Sequence, residues 1–111
     1  MRLLDSPFQQ AQQTDLAYLL ALNPDRLLAP YLAAAGLPPI AERYGNWENT
    51  GLDGHMGGHY LSALAYMYAA TGSEQVQQRL NYFVDQLKAC QQKAATATWA
   101  ACRAARPCGR R

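Results

Sequence analysis

Residues 47–72 read WENTGLDGHMGGHYLSALAYMYAATG, and this stretch decides the fold. Four of its five glycines lie close together, at positions 51, 54, 57 and 58, and they indicate a loop whose backbone takes positive φ or approaches another group closely. The run from Tyr60 to Ala70 contains one serine and no charged residue, which predicts a buried helix. Polar groups at a junction between a loop and a buried helix are typical of a ligand pocket.

Two histidines lie where this loop meets the helix. His55 and His59 are four residues apart, so they share a helix face if the helix has begun by His55. Such a pair can hold zinc, can hydrogen-bond to the hydroxyls of a sugar, or can be satisfied within the junction itself. The zinc-peptidase form of this spacing needs a glutamate after the first histidine, whereas this chain has Met56, and no third ligand is obvious.

Two residues just before the glycines add to this candidate site. Glu48 is the best carboxylate for binding a sugar hydroxyl or for an acid role, with a solvated loop glutamate as the alternative. Trp47 is the one tryptophan before residue 93, and its simplest role is to cover the core beneath a long loop.

Capping patterns predict a helix before the loop. Ser6 is suited to the N-cap, Pro7 to the first helical position and Gln9 to the capping box, so a helix is expected from residue 7 to about Leu22. Helical spacing predicts that one side of it faces the core, with Phe8, Ala11, Asp15, Leu16, Leu19 and Leu20.

A second helix is predicted to start at Asn23-Pro24-Asp25. Because proline lacks an N–H and clashes with the preceding turn, Pro30 predicts a short helix over 24–29 and an irregular or one-turn continuation to Ala35. Gly36 is expected to end this segment. Residues 40–53 are predicted to be loop, with one turn allowed at 40–44.

Two further helices are predicted to form an antiparallel hairpin. The first covers about residues 58–70 and ends at Gly72, and the second covers 74–91 after a cap at Thr71 or Ser73. Arg79 is predicted to face outward. The apolar stripe of the second helix is Val76, Leu80, Phe83, Val84 and Leu87. Since every predicted element is helical, the fold class is all-α.

Residues 93–111 differ from the rest of the chain. They contain seven alanines, five basic residues and no Leu, Ile, Val, Asp or Glu, so we expect an irregular tail. Residues 1–92 carry five basic and eight acidic side chains, so the net charge of +2 divides into −3 and +5. A basic tail by itself favours an acidic polymer as partner, and the alternative function is a small helical binding protein without catalysis.

Length and composition exclude several classes of protein. A chain of 111 residues can form one small domain but not a large enzyme fold. No apolar run reaches the roughly 18 residues of a membrane span. Asp5 and Ser6-Pro7 interrupt the N-terminus before the apolar region of a signal peptide could form. The three cysteines, Cys90, Cys102 and Cys108, fit no zinc spacing, and their odd number argues against a closed disulfide set.

The central stretch resembles the N-terminal part of the catalytic domain of glycoside hydrolase family 127, the β-L-arabinofuranosidase family. The shared pattern is W-E-x-x-G-L-x-G-H-x-x-G-H-Y-L-S-A, which runs from Trp47 to Ala63. The resemblance covers about residues 7 to 92. The flanks agree in Phe8 with Ala11-Gln12, Tyr18-Leu19-Leu20, Asp25-Arg26-Leu27-Leu28, Ala35-Gly36-Leu37 and Cys90-Gln91.

The resemblance implies an (α/α)6 barrel, of which residues 1–92 would be an N-terminal fragment holding the first helix pairs. Loops at one end of the inner helices line the sugar pocket in that family, so His55, His59, Trp47 and Glu48 become substrate-binding candidates. The implied activity is hydrolysis of terminal L-arabinofuranosyl or related linkages of plant-type glycans, and a carbohydrate is the implied partner. Full-length members are often exported.

The resemblance also implies a cysteine nucleophile at a zinc site of cysteines and a glutamate, with a separate glutamate as acid/base. All of these catalytic and zinc-binding residues lie beyond the matched region, and Cys90 is not expected to be that nucleophile. We therefore expect no catalytic residue, no zinc and no activity in this chain alone.

The tail can be read as an out-of-frame translation. Slipping the frame by one base lets residues 96–109 read as N-G-N-V-G-G-V-P-G-G-x-A-L-W, which is similar to the expected continuation of the family. We therefore expect a frameshift near residue 93. On this hypothesis the positive charge of the tail says nothing about partners, and neither nucleic acid nor a membrane is expected.

Overall fold

The computed structural model describes residues 2–49 and 53–104, without the side chains of Trp47 and of residues 96–104. This part of the chain contains no strand, which confirms the all-α prediction. Its elements are α1 (Pro7–Ala21), α2 (Pro24–Ala34), a short 3-10 segment (Asn46–Asn49), α3 (His55–Thr71) and α4 (Glu74–Ala104). None of the described helices is both long and apolar enough to cross a membrane.

The starts of α1 and α2 confirm the predicted caps. The Ser6 hydroxyl accepts a hydrogen bond from the Gln9 N–H at 3.3 Å, and the Asn23 side chain accepts one from the Asp25 N–H at 2.9 Å. Each helix has a proline in its first turn, where the missing N–H costs no helical hydrogen bond. The starts of α1 and α2 are therefore determined by residues next to them in the sequence.

The predicted interruption at Pro30 is wrong, because α2 continues to Ala34. An interior proline costs a helix about 3 kcal/mol. Buried neighbours on both sides of Pro30, among them Leu28 and Leu32, hold the helix together through packing and offset that cost. Gly36 (φ 71°) follows the end of the helix, and there the Leu37 N–H donates to the Leu32 carbonyl at 2.8 Å and the Gly36 N–H to the Ala33 carbonyl at 3.1 Å.

Helices α3 and α4 form the predicted hairpin. Gly72 ends α3 with φ 65°, and its N–H donates to the Tyr68 carbonyl at 2.7 Å. Tyr60 on α3 meets Phe83 on α4 edge to face, with ring centroids 5.7 Å apart. The largest fully buried side chains are Phe83, Leu28, Leu64 and Val76, so the described core lies where α2, α3 and α4 meet.

Two details of the α4 stripe differ from the prediction. Val84 is exposed, and Arg79 points inward rather than outward. One guanidinium nitrogen of Arg79 donates to the carbonyls of Leu20 at 2.7 Å and Leu22 at 2.8 Å. Carbonyls at the end of a helix have no partner within it, so the arginine satisfies the C-terminus of α1 from a neighbouring helix.

The outer sides of α1 and α3 are more exposed than predicted. Tyr66 on α3 is 78% exposed, so this helix is buried on one side rather than all round. Phe8, which was predicted to face the core from α1, is 75% exposed. The sequence identified these positions as apolar, but the described residues place nothing over them.

The prediction of an irregular tail is wrong for residues 93–104, which continue α4 without a break. Alanine has the highest intrinsic helix propensity, and six of these twelve residues are alanine. Adding residues to an existing helix is also much easier than nucleating a new one. Residues 105–111, the rest of the predicted tail, lie outside the described residues.

Candidate functional site

A pocket of about 580 Å³ lies beside the start of α3, between that helix, α1 and the residues that precede the 3-10 segment. Leu19, Leu22 and Leu27 give it an apolar base. Its polar lining residues are Asp15, Asn46, Glu48 and His59, and its aromatic ones are Tyr18, Tyr44 and Tyr60. An apolar base with a few polar groups at the wall is the usual composition of a small-molecule site.

Glu48 is buried at 5% exposure and holds the first turn of α3. Its Oε2 accepts from the Gly54 N–H at 2.9 Å, and its Oε1 accepts from the Met56 N–H at 3.2 Å. The helix N-cap is Gly54, which has no side chain that could satisfy these donors. The negative carboxylate also lies at the positive end of the helix dipole. Glu48 therefore caps α3 from the preceding 3-10 segment, a role that sequence reasoning missed.

The two histidines lie one turn apart on α3, which begins at His55, but only His59 lines the pocket. His55 Nδ1 lies 2.9 Å from Glu48 Oε1, and the ring is exposed beside the helix start. His59 is also exposed, but it lines the pocket, which His55 does not. Of the four predicted substrate-binding residues, the pocket brings together His59 and Glu48. The side chain of Trp47 lies outside the described part of the structure.

The glycines of the loop allow a tyrosine of α2 to pack against the start of α3. Gly54 has φ 96°, a conformation that other residues rarely adopt. A Cβ on Gly57 would lie 2.6 Å from a ring carbon of Tyr31. The Tyr31 hydroxyl donates to the Gly54 carbonyl, and burial, followed by the nearby negative charge of Glu48, raises the pKa of Tyr31. Gly54 and Gly57 are therefore required by this packing.

Ion pairing and stacking fix the loop that leads into the site. Arg43 pairs with Asp53, which joins the two sides of residues 50–52. The Arg26 guanidinium lies 4.0 Å from the centre of the Tyr44 ring. The sequence carried no pattern for this last contact, because it joins residues of α2 and the loop that are unrelated by any helical period.

Tyr60 connects the pocket wall to the core. Its hydroxyl donates to the Leu19 carbonyl at 2.8 Å and accepts from Arg79 at 3.3 Å. Burial raises the pKa of this tyrosine, partly opposed by its hydrogen bond from Arg79. Tyr60 is therefore a neutral structural residue of the pocket wall.

The zinc site that the resemblance implies for full-length members does not fit the described residues. Among the side chains that the structure describes, no three of His, Cys, Asp or Glu come together to hold a metal ion. Cys90 is buried on α4, where burial raises the pKa of its thiol.

Comparison with family models matches residues 1–97 to the β-L-arabinofuranosidase, GH127 catalytic domain. The chain belongs to this family. No individual curated protein matches the chain. The GH127 match includes every residue that lines the pocket. It confirms the resemblance that was drawn from the motif around His55 and His59 and makes the chain a member of a glycoside hydrolase family.

Proposed function

We propose that this chain supplies one wall of the sugar pocket of a glycosidase that hydrolyses terminal L-arabinofuranosyl or related linkages of plant-type glycans. Membership of the GH127 family supports the chemistry. The observation that carries the proposal for this chain is the pocket at the start of α3, with His59 in its wall and Glu48 fixing the helix beneath it.

The size and lining of the pocket suit a small sugar. Ligand pockets typically measure about 300–1,000 Å³, and this one has about 580 Å³. Neutral imidazole offers one hydrogen-bond donor and one acceptor, and a sugar hydroxyl can both accept and donate a hydrogen bond. His59 therefore serves as a hydroxyl-binding residue, and Asp15 on α1 adds an acceptor.

Catalysis is not proposed for the chain by itself. Retaining glycoside hydrolysis needs two groups on either side of the scissile bond, at a separation of about 5 Å. Glu48 is committed to two backbone N–H groups and to His55, so it is poorly placed to exchange a proton with a substrate. Incubation of the chain with an aryl β-L-arabinofuranoside is expected to release no arabinose, and measurable release would contradict this part of the proposal.

The binding role is tested by a matched pair of histidine variants. Titration with methyl β-L-arabinofuranoside is expected to show about five- to tenfold weaker binding for His59→Ala, the effect of losing one or two hydrogen bonds. His55→Ala removes a similar ring one helical turn away and outside the pocket, so its affinity is expected to stay within about twofold. Equal losses in the two variants, or none in either, would contradict the assignment of His59.

The origin of the tail forms a separate part of the proposal. A frameshift near residue 93 accounts for the change in composition and for the alternative-frame similarity to the family's continuation. Sequencing the encoding DNA from the codon for Leu87 to well past the stop codon tests it. We expect another frame to continue into a long open stretch of glycosidase-like sequence. Early stop codons in the other frames would overturn the frameshift and favour a genuine basic tail.

A further inference from the structure

One aromatic residue of the pocket lining is held in place by a residue that does not itself line the pocket. Tyr44 is half-buried and lines the cavity. The Arg26 guanidinium lies over its ring, 4.0 Å from the centre, and so covers one of its two faces. The backbone N–H of Asn23 donates to the Tyr44 hydroxyl at 3.1 Å. The ring is thus fixed at one face and at its outer end.

Arg26 is itself held in place by the loop that carries Tyr44. Its Nε donates to the Glu42 carbonyl at 3.0 Å, and one of its terminal nitrogens donates to the Arg43 carbonyl at 3.4 Å. A planar guanidinium can make such forked contacts and stack on a ring at the same time, which an ammonium group cannot do. The arginine therefore ties the loop to α2 and sets the orientation of the ring.

This arrangement gives the pocket a preorganised aromatic surface. The face of an aromatic ring carries partial negative charge, so it attracts the weakly positive C–H groups on one side of a sugar ring. A ring that is already immobile loses little side-chain entropy when a ligand arrives. Tyr18, another aromatic lining residue, is 59% exposed and is less constrained by its surroundings.

We propose that Tyr44 is the surface on which the C–H face of the bound sugar stacks, and that Arg26 is the positioning residue that holds it. This inference rests on the proposed function, in which the pocket binds a sugar. The hydroxyls on the other edge of the sugar then face His59 and Asp15, which lie in the same pocket. The expected ligands are pyranosides or furanosides with an exposed C–H face, rather than charged or fully apolar molecules.

The test is an NMR titration of the full chain with methyl β-L-arabinofuranoside, observed on the sugar protons. Stacking on Tyr44 predicts upfield ring-current shifts of the C–H protons on one side of the sugar, together with saturation transfer from tyrosine ring protons. This signature is measured on the unaltered chain, so it does not depend on whether a variant folds.

Variants test separately the roles of the Tyr44 ring, of the Tyr44 hydroxyl and of Arg26. Tyr44→Phe keeps the ring but loses the hydrogen bond from Asn23, so it is expected to keep the upfield shifts and to bind more weakly than the unaltered chain, by less than Tyr44→Leu. Tyr44→Leu keeps much of the bulk but is expected to bind about three- to tenfold more weakly and to lose the shifts. Arg26→Lys keeps the charge but not the fork, so we expect reduced shifts and weaker binding. Tyr66→Ala, an exposed tyrosine outside this pocket, is the matched control and is expected to change neither.

The outcomes distinguish this inference from the function on which it rests. Binding by the unaltered chain without upfield shifts, or with full affinity in Tyr44→Leu, would overturn the stacking role and leave the sugar pocket standing. Loss of the shifts in Tyr44→Leu with no effect of Arg26→Lys would overturn the positioning role of Arg26. A folded chain that binds no sugar at all would overturn both the proposed function and this inference.

Discussion

The start of α3 is held by hydrogen bonds and close packing, whereas the outer side of the same helix is exposed to solvent. At the start, Glu48 satisfies two backbone N–H groups, Tyr31 packs over Gly57, and Arg43 pairs with Asp53. On the outer side, Tyr66 is 78% exposed and a Cβ on Gly58 would meet no atom within 4 Å. The two regions belong to one helix and lie within a few turns of each other.

The difference shows which part of the helix the chain completes by itself. Buried polar groups are costly unless they are paired, and at the start of α3 the described residues provide the pairs. The outer side carries apolar area and small residues that the described residues leave open to solvent. Substitutions at the start should therefore lower the free energy of unfolding, whereas substitutions on the outer side should hardly change it.

The largest effect is expected from Glu48→Ala. It leaves the N–H groups of Gly54 and Met56 without their acceptor and removes a negative charge from the positive end of the helix dipole. We expect a loss of about 2–3 kcal/mol in the free energy of unfolding, measured by urea denaturation. Glu48→Gln keeps an acceptor oxygen and should lose about half as much. An unchanged urea midpoint in Glu48→Ala would contradict this prediction, because it would show that water replaces the carboxylate without loss of stability.

Neighbouring glycines provide the sharpest form of the comparison. Gly57→Ala forces a methyl group against the Tyr31 ring, which cannot move freely because its hydroxyl is bound to Gly54, so we expect a loss of about 1–3 kcal/mol. Gly58→Ala meets open space and gains helix propensity, so we expect a gain of up to about 1 kcal/mol.

Thermal unfolding of the two alanine variants, followed by circular dichroism, checks this pair. The melting temperature should fall in Gly57→Ala and rise or stay constant in Gly58→Ala. Equal changes of the melting temperature in the same direction would show that helix propensity alone governs both positions and that the contact with Tyr31 does not affect stability.

The smallest effect is expected on the outer side of α3. Tyr66→Ser should change the free energy of unfolding by less than about 0.5 kcal/mol, because the side chain is already in water. Sedimentation measurements should show weaker self-association at high concentration, since an exposed aromatic residue is removed from an open apolar side. A loss of stability similar to that of Gly57→Ala would mean that the outer side is covered.

The features that the sequence predicted correctly are local ones. Ser6, Asn23, Gly36 and Gly72 mark helix ends through contacts within a few residues, and each acts as its type and position predicted. Periodicity also placed Val76 and Phe83 in the core.

The features that it could not predict depend on distant partners. Pro30 stays helical because packing offsets the lost hydrogen bond, and Arg79 turns inward because the end of α1 lies beside it. The contact between Arg26 and Tyr44 has no periodic signature. At the candidate site the motif pointed to His59 and Glu48, both of which line the pocket, but the capping role of Glu48 follows only from the folded position of Gly54.

The most direct test of this account maps the sugar onto the two regions of α3. Backbone amide spectra of the ¹⁵N-labelled chain would be recorded during titration with methyl β-L-arabinofuranoside. We predict saturable shifts for residues 44–48 and 56–60, with little change for residues 65–69, which lie further along the helix. Shifts concentrated on residues 65–69, or a well-dispersed spectrum that the sugar does not alter, would contradict the claim that the start of α3 forms a sugar pocket.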